Sequence, residues 1–159
     1  MTGTASGAVP GAYIPPVPDA PLTGLVSVVV PVYNEHESVR PLAQELLEVL
    51  RGLGRPFEVL FVDDGSSDGT DAHLDDLAGE VPEIGVVSLR RNFGKAVALM
   101  SGFREARGEV IVTIDGDLQD DPSEIPALLA ALDEGADLVS GWKRDRQDPW
   151  SRRAASNST

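Results

Sequence analysis

Leu25-Val26-Ser27-Val28-Val29-Val30-Pro31-Val32 runs directly into Tyr33-Asn34-Glu35. The run is rich in β-branched residues and apolar at odd and even positions alike. That pattern suits a parallel strand covered on both faces, where an alternating strand would suit a sheet with one wet face. Downstream the period changes. Val39, Leu42, Ala43, Leu46, Leu47 and Leu50 recur at helical spacing, with Ser38 as N-cap and Pro41 in the first turn. Phe57–Val62 is a second buried strand, followed by a weakly patterned helix near Asp68–Leu77. Ile84–Leu89 is a third strand, and Ala96, Leu99, Met100 and Phe103 mark a helix that Gly108 ends. Glu109–Ile114 is a fourth strand. Asp121-Pro122-Ser123-Glu124 then supplies an N-cap, an N1 proline and a capping-box acid ahead of Ile125, Leu128, Leu129 and Leu132. Gly135 stops that helix, and Asp137–Ser140 begins a fifth strand.

Alternation of this kind predicts an α/β fold: an open, mostly parallel sheet with helices on both faces. Ligands of such sheets sit beyond the carboxyl ends of the strands. With 159 residues, 42% of them apolar, the chain suffices for one ordinary domain. Residues 1–24 are rich in Gly, Ala, Pro and Thr without periodicity and read as a disordered leader. Residues 1–20 hold no Lys or Arg and no apolar core run, so they are not expected to form a secretory signal. The longest apolar stretch, Leu25 to Tyr33, is far short of the roughly 20 residues that span a bilayer. The chain is therefore expected to be soluble, and its lack of cysteine suits a reducing, cytoplasmic setting.

A net charge of -13 argues against nucleic-acid binding, which needs basic patches. The charge is uneven. Residues 143–159 carry Lys143, Arg144, Arg146, Arg152 and Arg153 against Asp145 and Asp148. Such a tail fits a solvated loop or a segment that meets phosphate or a membrane surface.

All four strand ends are polar and turn-prone, and the sheet rule puts them on one rim. Strand 1 runs into Pro31-Val32-Tyr33-Asn34-Glu35, strand 2 into Asp63-Asp64-Gly65-Ser66-Ser67, and strand 3 into Arg90-Arg91-Asn92-Phe93-Gly94-Lys95. Strand 4 runs into Asp115-Gly116-Asp117-Leu118-Gln119. Taken singly, each element has a plain structural explanation. Asp63-Asp64-Gly65-Ser66 could be a turn with a helix cap. Gly94-Lys95 lacks the spaced glycine and the Ser/Thr of a phosphate loop. His36 and His73 are lone histidines in surface segments. Together the four ends point to a site. A buried carboxylate is costly unless a cation neutralises it. Asp115 and Asp117, two apart and parallel if the backbone stays extended, therefore suggest a divalent metal, and Gly116 lets a ligand approach. The Gln119 oxygen can complete a hard-oxygen set for Mg2+ or Mn2+, with substrate phosphate and water filling the remainder. Asp63 or Asp64 could accept hydrogen bonds from a base or ribose, and Tyr33 could pack on a base.

The segments VSVVVPVYNE, FEVLFVDDGSSDGT, RNFGKAVAL and VIVTIDGDLQDDP resemble, in order and spacing, the family 2 glycosyltransferases, over about residues 25–145. RNFGK, DLQDDP and SGWKRDRQDPWSRR are similar to the branch acting on dolichol or undecaprenyl phosphate. The resemblance implies a GT-A nucleotide-sugar-binding fold over residues 25–142, followed by a basic acceptor-side segment at 143–159. It implies metal-dependent, inverting transfer of a sugar from a UDP- or GDP-linked donor to a polyprenyl phosphate. Carried over by position, Pro31, Tyr33 and Glu35 lie around the base, and Val62 and Asp64, with Asp63 adjacent, contact base and ribose. Asp115, Gly116 and Asp117 hold metal and diphosphate, and Gln119 matches a metal ligand. Lys143 faces the diphosphate or the acceptor phosphate, with Arg144 and Arg146 as neighbours able to do the same work. Asp117, Lys143 and Arg144 are thus the expected catalytic residues.

Relatives continue past DPWSRR with amphipathic helices, a further strand and often membrane-spanning helices. The resemblance therefore implies a chain truncated at its C-terminus, whose membrane contact, at the cytoplasmic face, lies in the part beyond Thr159. A nucleotide-sugar-binding module without transfer activity is the alternative. A phosphoacceptor signalling domain fits less well, because it leaves the acidic pair after strand 4 without a role.

Overall fold

The computed structural model describes residues 24–134. Strands β1 (Val26–Val32), β2 (Phe57–Asp63), β3 (Ile84–Ser88) and β4 (Val110–Thr113) form one sheet in the order β3-β2-β1-β4. Every pairing is parallel, with Val28 opposite Val59 on one side and opposite Val112 on the other. Helices α1 (Val39–Arg51), α2 (Thr70–Glu80) and α3 (Lys95–Glu105) connect the strands. The open parallel α/β sheet read from the sequence is the one observed. The fifth strand expected at Asp137–Ser140 lies outside the described residues, as do residues 1–23 and the 143–159 segment with Lys143, Arg144 and Arg146. The chain divides between Ser123 and Glu124. The described part of the second unit is α4 (Ile125–Asp133), with Ile125 and Leu129 buried.

The strand order explains the layers. From β1 to β2 to β3 the chain steps in one direction, so right-handed crossovers put α1 and α2 on the same face. The two are neighbours. The next connection returns across β2 and β1 to the far side of β1, which puts α3 on the opposite face. There Ala98 packs with Val29, Val62 and Val87, flanked by Leu89, Leu99 and Ala106. The order reverses between β1 and β4, so the crevice outside their carboxyl ends is the natural ligand position.

Opposite that crevice, at the amino ends of the strands, Glu58 is buried and fully partnered. Its carboxylate accepts from the Ser27 hydroxyl (2.7 Å), the Arg107 backbone N–H (2.8 Å) and the Arg107 guanidinium (2.8 and 3.0 Å). The Ser27 hydroxyl oxygen in turn accepts from the Gly108 N–H at 2.8 Å. The chain leaving α3 is therefore tied to β1 and β2 just before it enters β4.

α3 approaches the sheet closely because its inner stripe is small. A Cβ on Gly102 would collide with Val29 Cγ1 and sit 3.0 Å from Val62 Cγ2. Gly79, on the exposed side of α2, has nothing within 4 Å of the same position. Alanine normally stabilises a helix interior over glycine by ~0.5–1 kcal/mol. Gly79→Ala should therefore raise stability by up to about 1 kcal/mol. Gly102→Ala should lower it by ~1–3 kcal/mol through overpacking. Denaturant unfolding reads both, and shifts of the same sign would refute the close packing of α3.

Candidate functional site

The loops after β1 and β2 are laced together. Asn34 adopts a left-handed backbone (φ 51°), which asparagine tolerates better than most residues. In that conformation its N–H donates to Ser66 Oγ (2.9 Å) and its Oδ1 accepts from the Ser67 N–H (2.8 Å). The Glu35 N–H donates to Thr70 Oγ1 at 3.0 Å. His36 joins the same seam, with Nδ1 2.8 Å from Asp68 Oδ2 and its ring 6.3 Å from that of His73. The two histidines are thus a surface pair beside a carboxylate, and neither stands alone. Burial works against the Asp68 charge, but hydrogen bonds from Thr70 and His36 outweigh it and hold the carboxyl well below the ordinary range.

The loop after β2 reaches across to the loop after β3. Both Asp63 and Asp64 are buried. Asp63 Oδ1 accepts from the Ser66 N–H at 3.0 Å, closing its own turn. Asp64 places one oxygen on the Phe93 N–H (2.8 Å) and the other on the Gly94 N–H (3.0 Å). Gly65 (φ 73°) lies where a Cβ would collide with the backbone of Arg91 and Asn92. The Asp64 carboxylate thus fixes the entry to α3, and each oxygen keeps a further lone pair. Val62 is buried below, Pro31 is half-buried, and Tyr33 stands 46% exposed at the rim.

The acidic motif after β4 departs from the extended geometry expected for it. The strand ends at Thr113, and Gly116 and Asp117 form a turn. The Asp115 N–H donates to Asp120 Oδ2 at 2.7 Å, and the Gln119 N–H donates to Asp117 Oδ1 at 3.1 Å. Between them Leu118 sits at φ 65°, a costly conformation for a leucine and one that clusters at functional sites. Gly116 is buried against β1, its Cβ position 2.5 Å from Val32 Cγ1 and 3.1 Å from the Pro31 carbonyl. A local turn, not strand alternation, presents Asp115 and Asp117.

Two electrostatic observations define this corner. Asp115 is ion-paired with the ammonium of Lys95, the first residue of α3. Glu35 has its carboxyl raised above the ordinary 4.5, first by burial and then by the negative charges of Asp117 and Asp68, against a lowering hydrogen bond with Ser38. Among the described residues, carboxylates from the ends of β1 and β4 therefore share one corner, with Lys95 as counter-charge. Among the described residues no three His, Cys, Asp or Glu side chains form a ready-made metal cage. The donor set of Asp115, Asp117 and the exposed Gln119 amide is nevertheless all hard oxygen, which fits Mg2+ or Mn2+ completed by ligand phosphates. Asn34, Lys95 and Asp120 were not among the expected site residues. Lys95 had a visible signal, since it is the sole cation at the start of α3 and follows a polar strand end.

Residues 27–158 match the family described as "Glycosyl transferase family 2". Over 132 residues the chain is 48% identical to the undecaprenyl-phosphate 4-deoxy-4-formamido-L-arabinose transferase of Enterobacter sp. (strain 638). That match covers 82% of this chain but only 40% of the Enterobacter protein. Among solved structures, the mannosyltransferase PcManGT of Pyrobaculum calidifontis, in complex with GDP-Man and Mn2+, is 34% identical with a TM-score of 0.51. The match covers 64% of this chain and 30% of PcManGT. The UDP complex of Mycobacterium tuberculosis glucosyl-3-phosphoglycerate synthase is 26% identical with a TM-score of 0.60, over 77% of this chain and 45% of that one. The fold shared with these proteins is the GT-A fold.

Two substitutions separate the roles of these acids. Asp64→Asn turns an amide N–H2 toward backbone N–H groups and should cost ~1–3 kcal/mol of stability. Glu35→Gln should act in the opposite direction at pH 7. The folded state holds the Glu35 proton more tightly than the unfolded state does, so its ionised form costs stability above the ordinary value of 4.5. The gain from Glu35→Gln should fade as pH falls below that value. Thermal midpoints measured from neutral to acid pH would show it, and a gain that grows on acidification would contradict the raised Glu35 carboxyl.

Proposed function

The chain is a member of glycosyl transferase family 2, and from that premise we propose that its rim binds the nucleoside diphosphate of a sugar donor together with a divalent cation. The observation that carries the proposal is the corner where Glu35 and Asp117 crowd one another and Lys95 neutralises Asp115, at the point where the strand order reverses. In this reading Tyr33 packs on the base, and the buried Val62–Asp64 segment forms the wall beside it. Asp115, Asp117 and Gln119 hold the cation, which supplies positive charge to the departing diphosphate. The Mn2+ and GDP-Man of PcManGT support a cation and a nucleotide sugar at such a site. GDP and UDP both occur among the structural relatives, so the base is left to experiment.

The transfer reaction is proposed for the longer protein that the relatives represent. The similarity to an undecaprenyl-phosphate transferase supports a polyprenyl phosphate acceptor, attacking with inversion at the anomeric carbon. Such an acceptor is already anionic and needs no strong general base. It needs cations to hold it in line, a role that Lys143 and Arg144 can fill by position. Within the described part the chain's own contribution is orientation. The Asp64 clamp fixes the loop that carries Lys95, and Lys95 meets the acidic turn.

Thermal shift with UDP, GDP and their sugars, with and without Mn2+ or Mg2+, tests the donor site. One nucleotide should raise the midpoint in a metal-dependent manner, and Asp117→Ala should abolish the metal-dependent part without unfolding the domain. A metal-dependent shift that survives Asp117→Ala would remove the metal assignment. No shift with any nucleotide would remove the donor site itself.

A further inference from the structure

α3 is built the wrong way round for a helix that meets only its own sheet. Its inner stripe, Ala98 and Gly102 with Ala106 just beyond, is small and buried. Leu99 packs inward beside them, but three larger apolar side chains lie outside: Val97 is 43% exposed, Met100 63% and Phe103 41%, three residues apart on adjoining turns. Phe93, 44% exposed, extends the patch beyond the helix start. A helix apolar on both sides is one that something else covers.

The charge around the patch indicates what. The chain is strongly acidic, yet residues 90–107 hold Arg90, Arg91, Lys95, Arg104 and Arg107 against Glu105 alone. Lys95 is engaged with Asp115 and Arg107 with Glu58. Among the described residues Arg90, Arg91 and Arg104 are exposed and make no ion pair. The Arg91 guanidinium lies 4.6 Å over the Phe93 ring, an arrangement that keeps apolar and cationic groups side by side at a surface. Pairing with a second copy through the same face would set these arginines against their own counterparts. A helix face of Val, Met and Phe edged by arginine, on a chain whose net charge is -13, matches an anionic lipid surface. Outside the basic 143–159 segment, the acidic remainder of the chain would be repelled by that surface, which favours contact through the α3 face.

We propose that the outer face of α3, formed by Phe93, Val97, Met100 and Phe103 with Arg91 and Arg104, docks this chain on anionic membranes. This contact is separate from the one expected of a region beyond Thr159, and it rests on no step of the donor reading. Nucleotide binding without vesicle binding, or the reverse, separates the two.

Co-sedimentation with vesicles of phosphatidylcholine alone, and with phosphatidylglycerol added, tests it at low and at raised salt. The chain should bind the phosphatidylglycerol vesicles, weakly or not at all the neutral ones, and lose affinity as salt rises. Val97→Asp with Met100→Asp should abolish binding with little change in thermal midpoint, since both side chains are exposed. Arg91→Gln with Arg104→Gln should weaken binding roughly 25-fold, about five-fold for each arginine. If the aspartate pair lowers the midpoint, the arginine pair decides. Failure of the unaltered chain to bind anionic vesicles overturns the proposal. So does binding that both pairs leave unchanged, which would assign it to another surface such as the basic 143–159 segment. A dimer seen by light scattering and dissolved by the aspartate pair, without vesicle binding, overturns it in favour of self-association.

Discussion

Burying a carboxylate between strands is tolerable only when every acceptor site is filled by a donor, and Glu58 meets that condition with Ser27, the Arg107 backbone and the Arg107 guanidinium. Three segments that are distant in sequence are thereby held at one point. β1 contributes the hydroxyl, β2 the carboxylate, and the turn leaving α3 the cation. The parallel register that sets Ser27 opposite both Glu58 and Ile111 starts from this knot. Parallel strands need long crossovers, and nothing local fixes where the next strand begins. A buried ion pair at the amino end performs that task for β4. β4 then ends opposite Val29, and the turn after it lies against Pro31 and Val32 at the carboxyl end of β1, where a site can be assembled.

At that opposite end the logic of charge is reversed. The Glu58 knot is closed and satisfied, whereas the rim carboxylates are crowded and only partly compensated. Glu35 is held protonated to higher pH than usual by burial and by its acidic neighbours, and Asp115 relies on a lysine from α3. Structural ion pairs and functional ones can look alike in sequence. Here the Glu58 pair is closed by matched donors, whereas the Lys95–Asp115 pair lies in a corner where Asp117 and Asp68 still raise the Glu35 carboxyl.

The fold was readable because its signals are local. The β-branched run 26–32 and the six-residue stripe of α1 are both buried as read. The rim of the candidate site was readable in outline, since all four strand ends do lie on one side of the sheet, and family membership agrees with the resemblance of the motifs. What escaped depends on contacts between distant residues or on turn geometry. The grip of Asp64 on the 93–94 backbone joins residues 29 and 30 apart in sequence. The Lys95–Asp115 pair spans a strand. The acidic motif looked extended because its neighbours are strand residues, but an Asx-type turn from Asp117 to Gln119 overrides that continuation. In α3, Met100 and Phe103 marked a helix correctly. Their size hid that glycine and alanine, not they, face the sheet.

The lacing of Asn34 to Ser66 and Ser67, and of Glu35 to Thr70, joins two strand ends into a single wall. A ligand laid against such a wall meets groups whose backbone has already surrendered its freedom during folding, so little ordering remains to be done at the moment of contact. Outside the lacing stands the Tyr33 side chain, 46% exposed at the rim. For the donor proposed above, selection by rigid shape would therefore fall to the β1–β2 side of the crevice.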